Sequence, residues 1–268
     1  SYGFNTIDAS EGYFSKATPG EINGPIDYTG KVSDTKFNID RGFYQEPFNV
    51  EISTKTNGVT IVYTIDGSEP SLENGTKVSS EDIEQEVSTT IYIDKTTTLR
   101  AAAYKEGLLP SNIDTQTYLF LDDIVTQSER PEGYPYPWVN RNGQSIEGDY
   151  GMDPNVVGKL YSVEEIKESL LDVPTVSIVT DKNNLFGNQS GIQVNPRDSG
   201  ATSEREISIE FINFENVKNS QENAGLRMNG NASRLVSRPK HNLRVIFRDD
   251  YGKGILNYPL FGPKAETN

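Results

Sequence analysis

The residues best suited to chemistry lie in a cationic stretch in the last fifth of the sequence. Between Gly225 and Arg248 there is no acidic residue, and six cations occur there: Arg227, Arg234, Arg238, Lys240, Arg244 and Arg248. The segment Gly230-Asn231-Ala232-Ser233 adds a flexible turn with backbone N–H groups and a hydroxyl. Phosphate oxygens accept hydrogen bonds from such donors. The stretch therefore predicts an anion-attracting surface.

Composition alone leaves a second explanation of this stretch equally open. Cations on an edge strand protect it against aggregation, and they also pair with acids elsewhere in an acidic chain. Because side chains alternate along a strand, Arg244 shares one face with Asn242 and Ile246, and Lys240 lies on the same side.

Other chemistries find little support in the residue types. The sequence has no cysteine, which excludes disulfides, thiolate metal sites and cysteine nucleophiles. The single histidine, His241, provides no zinc cluster and only a weak case for a Ser-His-Asp triad. No Walker-type loop and no calcium-loop spacing occurs. Residue pattern therefore names no catalytic residue and no metal ligand.

The composition bounds the class of protein. There are 39 acidic and 25 basic residues, so the net charge of −14 argues against nucleic acid or an anionic membrane as a general partner. The 14 Tyr and 11 Phe residues indicate real hydrophobic cores. No apolar run approaches the roughly 18 residues of a membrane-spanning segment.

The segment from Phe37 to Phe120 has the pattern of a β-sandwich. Short runs alternate in period two, and the predicted strands are Phe48–Ile52, Val62–Ile65, Thr90–Ile93, Thr98–Tyr104 and Thr115–Phe120. After the second run, Asp66-Gly67 favours a tight turn, because glycine tolerates a positive φ. Several strands within about 85 residues favour a small antiparallel sandwich.

Motifs in this segment resemble the chitobiase/β-hexosaminidase C-terminal-type domain. The resemblance rests on Tyr63–Pro70, Thr97–Ala101, Ser111 and Thr117-Tyr118, in that order. It implies an immunoglobulin-like sandwich over residues 36–121, of a kind appended to secreted enzymes and surface proteins. It implies no glycosidase activity.

The flanking segments predict connectors and an α+β region, so the expected fold class is mainly β with α+β. Residues 1–35 are rich in turn formers and predict a linker or the tail of a preceding module, and residues 122–161 predict a connector. A helix begins at Ser162, where Glu165 completes a capping box, and Pro174 stops it. The strands that follow are Thr175–Val179, Glu206–Phe211, Gly225–Asn229 and Leu243–Phe247. Residues 162–268 therefore predict an α+β domain.

The connector contains the only tryptophan, in Tyr134-Pro135-Tyr136-Pro137-Trp138. These rings are either a platform for a sugar ring or a proline-stiffened segment that packs on the next domain. The prolines favour packing, because they restrain the backbone.

Blocks from about residue 133 to 261 resemble the amino-terminal part of the CotH kinase-like family. In order they are Asp149–Pro154, Val173–Asp181, Asn184–Phe186, Gly191-Ile192 with Asn195, Glu204-Arg205, Ser208 with Glu210-Phe211, Ala224–Met228, Ser233-Arg234, Lys240-His241, Phe247-Arg248, Tyr251-Gly252 and Tyr258–Phe261. The family has an atypical protein-kinase-like fold and occurs in spore-coat proteins and secreted bacterial proteins. Its active members bind ATP with magnesium and phosphorylate proteins.

The resemblance implies a set of cofactor-binding residues. The family's Gly-x-Arg-x-x-Gly-x-x-Ser block begins at Gly225, and the lysine after it would pair with nucleotide phosphates. The predicted cofactor-binding residues are Arg227, Gly230, Ser233, Arg234 and Lys240. The family's magnesium-holding acids lie further along than residue 268. We therefore expect residues 1–268 to hold the nucleotide-facing half of a kinase-like domain, truncated and inactive alone.

Two functions follow as expectations. The first is a part of a secreted bacterial CotH-like protein kinase, with ATP and Mg as cofactors and a protein acceptor. The alternative is a non-catalytic scaffold at the cell surface whose sandwich binds a glycan or a protein. Both place the chain outside the cell or at its surface.

Overall fold

The computed structural model describes residues 2–5, 10–14, 21–22 and 25–260. In the first part of the chain the strands are β1 (Tyr2–Phe4), β2 (Glu11–Tyr13), β3 (Gly30–Lys31), β4 (Lys36–Phe37), β5 (Gly42–Tyr44), β6 (Phe48–Ser53), β7 (Thr60–Thr64), β8 (Thr76–Ser79), β9 (Ser88–Ile93), β10 (Thr97–Tyr104), β11 (Leu108–Leu109) and β12 (Asp114–Phe120). The second part contains α1 (Leu121–Val125), β13 (Trp138–Val139), β14 (Ser145–Ile146), α2 (Val163–Leu171), β15 (Thr175–Val179), α3 (Lys182–Phe186), β16 (Arg205–Ile212), β17 (Ser220–Asn229) and β18 (Asn242–Ile246), with 3₁₀ turns at Ala201–Ser203 and Ala232–Arg234.

The chain is mainly β, and it divides into two compact units. Strands make up 36% and helices 10% of the residues, which confirms the β-rich class. Unit 1 lies within residues 1–40, 48–93 and 99–116, and unit 2 within residues 41–47, 94–98 and 117–268. The domain boundaries expected at residues 35, 121 and 161 stay predictions. Among the described residues, no helix is long and apolar enough to cross a bilayer.

The five strands predicted between Phe37 and Phe120 are all present as β6, β7, β9, β10 and β12. One sheet has the order β4-β6-β9 and another the order β5-β12-β10-β7-β8. In β6, Val50 and Ile52 are fully buried while their neighbours are exposed or half-buried, as period-two alternation requires. The expected antiparallel arrangement needs correction, because β5 pairs in parallel with β12 and β3 with β11. Parallel pairing needs a long connection, and about seventy residues separate each of these partners.

The Asp66-Gly67 turn forms as predicted, inside a longer connection. Gly67 has a φ of +79°, and Asp66 Oδ1 accepts a hydrogen bond from the Ser68 N–H at 3.0 Å. The buried guanidinium of Arg100 donates to the Gly67 carbonyl at 3.2 Å. Residues 65–75 join β7 to β8, so the motif shared with the chitobiase-type family folds as a braced loop.

Two short strands, β1 and β2, occupy part of the segment expected to be a linker. Tyr2 pairs with Tyr13 in an antiparallel register, and their rings meet edge to face at 5.0 Å. The hydroxyl of Tyr2 also donates to Glu11. Aromatic cross-strand contact thus gives this turn-rich sequence local order that its composition does not predict.

Unit 2 is organised by the antiparallel sheet β15-β16-β17-β18, which matches the four predicted strands. One face of this sheet carries the hydrophobic core, which contains Ile207, Ile209, Phe211, Ala224, Leu226 and Met228. Tyr258 stacks on Phe211 at 4.6 Å between ring centroids. This core fixes the positions of β17 and β18. The predicted site residues lie on β17 and on the loop that joins these two strands.

The predicted helix is α2, and its start is confirmed in detail. The Ser162 hydroxyl accepts the Glu165 N–H at 3.2 Å, and Glu165 accepts the Ser162 N–H at 2.8 Å. These two hydrogen bonds form the capping box. The Ser162 N–H and the Ser162 hydroxyl both donate to the Glu165 carboxylate, and these bonds lower its pKa.

The aromatic rings of the connector pack inside unit 2, to which the connector itself belongs. Trp138 is 5% exposed and stacks on Phe186 with 5.5 Å between centroids. Its indole N–H donates to the Tyr150 hydroxyl at 2.6 Å. A ring buried in this way offers no platform for a sugar.

The other face of the unit 2 sheet contains a buried acid, Glu210. Its side chain is 0% exposed, and it lies 3.2 Å from Arg41 Nε. It also accepts the Thr117 N–H at 3.0 Å and the Thr117 hydroxyl. Burial raises the pKa of Glu210, while Arg41 and the Thr117 hydrogen bonds oppose that rise. The ion pair is held in a low-dielectric interior, so removal of one partner strands a charge.

We predict that Arg41→Met lowers the free energy of unfolding by about 3–5 kcal/mol, the usual loss for breaking a buried pair. Chemical denaturation measures it. In Arg41→Met/Glu210→Gln, the amide still accepts the Thr117 N–H and no charge is stranded, so we expect more than half of the loss to be recovered. Equal destabilisation in the single and double variants would contradict the role of the pair.

Candidate functional site

The predicted site residues lie on β17 and on the loop that joins it to β18. Arg227 is in β17, Gly230, Ser233 and Arg234 are in the loop, and Lys240 precedes β18 by two residues. In the register of the two strands, Arg227 faces Arg244. Asn242 and Ile246 fall on the same face as Arg244, as strand alternation predicted.

Arg227 is engaged by a buried carboxylate. Its guanidinium forms an ion pair with Glu204, and Arg248 Nε lies 3.0 Å from the Glu204 Oε1 atom. The Glu204 side chain is 5% exposed. Burial by itself raises the pKa of Glu204, but hydrogen bonds from Tyr251, Arg227 and Arg248 outweigh it and hold the pKa below its usual value. One acid thus offsets part of the charge of two cations of the predicted anion-attracting surface.

Gly225 makes room for this carboxylate. A Cβ atom at Gly225 would lie 2.5 Å from Glu204 Oε1. Gly225, which opens the Gly-x-Arg sequence of β17, therefore has a packing role in this chain.

The loop is shaped by its own hydrogen bonds. Gly230 has a φ of +93°, and a Cβ there would clash with the Ser233 hydroxyl. The Ser233 hydroxyl donates to the Asn229 carbonyl at 3.0 Å, and His241 Nδ1 lies 2.7 Å from the Ser233 carbonyl. Arg234 donates to the Asp198 carbonyl at 3.4 Å. His241 therefore braces the loop, which agrees with its weak case as a catalytic base.

Lys240 is the most exposed cation of the set. Its side chain is 87% exposed, and its ammonium lies 3.6 Å from Asp149 Oδ2. It borders a cavity of ≈ 490 Å³, whose lining also includes the carboxylates Glu129, Asp149 and Asp153. The other four predicted residues are not among those that line this cavity. The structure thus brings Gly230 together with Ser233, while Arg227 and Lys240 have different partners.

A larger cavity of ≈ 700 Å³ in unit 2 contains none of the predicted site residues. Its lining includes Glu46, Asp122, Glu164 and Glu168, and one cation, Lys167. Lys167 pairs with Asp122 and with Glu164, the latter at 3.0 Å. A phosphate has no free cation to meet in this lining, so size alone does not make the cavity a nucleotide site.

The sequence did not predict that acidic residues lie next to the cations of the predicted site. Glu204 and Asp149 are distant in sequence from Arg227 and Lys240, and the count of cations from 225 to 248 did not include them. The sequence did draw attention to both acids, because Glu204-Arg205 and Asp149-Tyr150 lie in blocks that carry the CotH-like resemblance. Their proximity depends on strand pairing and loop closure, which a residue count does not contain.

Comparison with known proteins identifies one segment of the chain. Residues 39–115 match the family model of the chitobiase/β-hexosaminidase C-terminal domain. The match confirms the chitobiase-type resemblance of the sandwich segment and extends no further than residue 115. No curated protein matches the chain.

We predict that Glu204→Gln lowers the free energy of unfolding by about 1–2 kcal/mol at neutral pH, because Arg227 and Arg248 lose a charged acceptor. The lowered pKa means that this stabilisation is present above the unfolded value of 4.5 and is lost as the pH falls through the folded value. The difference in the free energy of unfolding between variant and wild type should therefore be smaller at about pH 3 than at about pH 7. Glu215→Gln, an exposed acid, is the control. A loss that is the same at both pH values would contradict the ion-pair explanation.

Proposed function

We propose that unit 2 supplies the phosphate-facing part of a CotH-like atypical protein kinase and that the chitobiase-type sandwich is an accessory module of the same secreted protein. The supporting observation is the position of Lys240. It follows a glycine-containing loop between two antiparallel strands, and its ammonium is exposed at the border of a cavity. A lysine ammonium is a compact charge that suits phosphate oxygens.

The ion pair with Asp149 leaves Lys240 available. At 3.6 Å and with the lysine largely exposed, this pair contributes little free energy. A phosphate carries more charge than a carboxylate, so it competes for the ammonium. Asp149 acts as the competitor in this arrangement, and its removal favours phosphate binding.

Magnesium has a poorer fit than the nucleotide in this chain. Within the part of the chain that the structure describes, no group of three or more His, Asp or Glu side chains is placed to hold a metal ion. The proposal for residues 1–268 is ATP binding through its phosphates, with transfer to a protein acceptor requiring acids from elsewhere.

We predict that Lys240→Ala weakens ATP binding by the 268-residue chain at least about 10-fold in isothermal titration calorimetry, the equivalent of roughly 1.4 kcal/mol. Asp149→Asn should strengthen binding, because it removes the competing carboxylate. Lys253→Ala is the matched control, since Lys253 is 70% exposed and pairs with Glu222 away from the cavity. Equal affinity in wild type and Lys240→Ala would remove Lys240 from the site.

A second candidate function is a non-catalytic extracellular scaffold whose sandwich binds a glycan. Two observations favour it: the family match covers only the accessory-type segment, and Arg227 is already neutralised by Glu204. Folds of enzymes are reused without their reaction.

We expect binding of at least one glycan class by the 268-residue chain on a glycan array if the scaffold function is correct. A blank array together with ATP binding would favour the kinase-like function. Glycan binding without ATP binding would favour the scaffold.

A further inference from the structure

We propose that a lysine-lined cavity in unit 1 binds the carboxylate or sulfate groups of an acidic polysaccharide. The cavity has a volume of ≈ 400 Å³ and is lined by Lys31, Val32, Ser33, Asp34, Lys36 and Lys55. The inference rests on the second candidate function, which it deepens by naming a site and a class of ligand.

Two backbone segments hold the lysines in place. The first runs from β3 to β4 and carries Lys31 and Lys36, and the second follows β6 and carries Lys55. Lys36 pairs with Ser53 in the sheet register, two residues before Lys55. The lysines are thus positioned by sheet pairing and not by a free loop.

Side-chain hydrogen bonds tie the two segments together. The Thr54 hydroxyl donates to the Ser33 carbonyl at 2.9 Å, and the Ser33 N–H donates to the Thr56 hydroxyl at 2.9 Å. Val32 between the lysines is 0% exposed, and its N–H donates to the Leu109 carbonyl at 2.9 Å. These contacts make the floor of the cavity a fixed part of unit 1.

The lining carries an excess of positive charge. Lys31 pairs with Asp34 at 3.2 Å, and both side chains are about two-fifths exposed. Among the described residues, no ion pair or hydrogen bond engages the ammonium of Lys36 or of Lys55, and both lysines are exposed. Three ammonium groups therefore face one carboxylate, in a chain whose net charge is −14.

One further acid lies close to the cavity. Asp114 accepts hydrogen bonds from the Thr35 hydroxyl at 2.6 Å and the Asn112 amide at 2.9 Å. Burial raises the pKa of Asp114, the two hydrogen bonds and Lys36 lower it, and Asp34 raises it. Asp114 is thus satisfied by neutral donors, which leaves Lys36 with charge to offer a ligand.

The exposed lysines of the cavity favour a polymer that carries repeated anionic groups. Exposed ammonium groups are point charges without the fixed fork that recognises a single anion in a set orientation. Several of them along an open surface suit anions repeated along a chain, because binding at one position raises the effective concentration at the next. Uronate carboxylates and sugar sulfates share this chemistry.

The test uses the 268-residue chain and four probes: a polygalacturonate oligosaccharide, a heparin-type sulfated oligosaccharide, a neutral chitin oligosaccharide and inorganic sulfate. We expect Lys36→Ala/Lys55→Ala to weaken binding of one or both acidic oligosaccharides at least about 10-fold at low salt. Lys36→Arg/Lys55→Arg should retain binding. Lys77→Ala, an exposed lysine of β8 outside the cavity, is the matched control, and an unchanged melting temperature verifies folding.

The remaining outcomes distinguish failure of the proposed lysine site from failure of the glycan-binding function on which it rests. Binding of an acidic or neutral oligosaccharide with equal affinity in wild type and Lys36→Ala/Lys55→Ala would overturn the cavity while the glycan-binding function stands. Binding of inorganic sulfate alone would overturn the polysaccharide. Failure of every oligosaccharide to bind would overturn both the site and the scaffold function.

Discussion

Antiparallel pairing of β16 with β17 is the constraint on which the chemistry of unit 2 depends. It brings Gly225 beside the start of β16, where the carboxylate of Glu204 fills the space that a Cβ would take. The same carboxylate, itself 5% exposed, then accepts Arg227 and Arg248. A surface that looks basic in sequence therefore loses part of its positive charge in space, and Lys240 is the most exposed cation of the predicted site.

Two regions of the chain are proposed to bind anions: the surroundings of Lys240 and the cavity lined by Lys36 and Lys55. Their exposed positive charge, and not the net charge of the chain, distinguishes them. Several cations of this acidic chain pair closely with a carboxylate, as Lys31 and Arg41 do. Lys240 has only a long, exposed pair with Asp149, and Lys36 and Lys55 line a cavity in which they outnumber the acids. Exposed cations of this kind hold anions weakly one at a time, and salt screens them. The affinity must then come from the shape of the site and from repeated anionic groups on the ligand.

The sequence predicted most of the strands and the helix α2, but it did not predict which strands pair or which acids meet the cations. Alternation predicted β6 and the strands of the unit 2 sheet because a half-buried strand needs period two, and the Ser162 capping box marked the start of α2. The parallel pairing of β5 with β12 was not predictable, because no local pattern encodes which distant strands meet. The match of residues 39–115 likewise confirms the chitobiase-type resemblance that the motifs of this segment carry. The sequence did not predict the carboxylate partners of Arg227 and Lys240, because only the tertiary structure brings these residues together.

Chemical-shift mapping of the 268-residue chain with ATP tests most directly whether Lys240 meets phosphate. Saturable shifts at the amides of residues 229–242 and 149–153, with the Arg227 Nε resonance unchanged, are the result we predict. Shifts of Arg227 Nε with loss of its contact to Glu204, or an absence of shifts around Lys240, would contradict it.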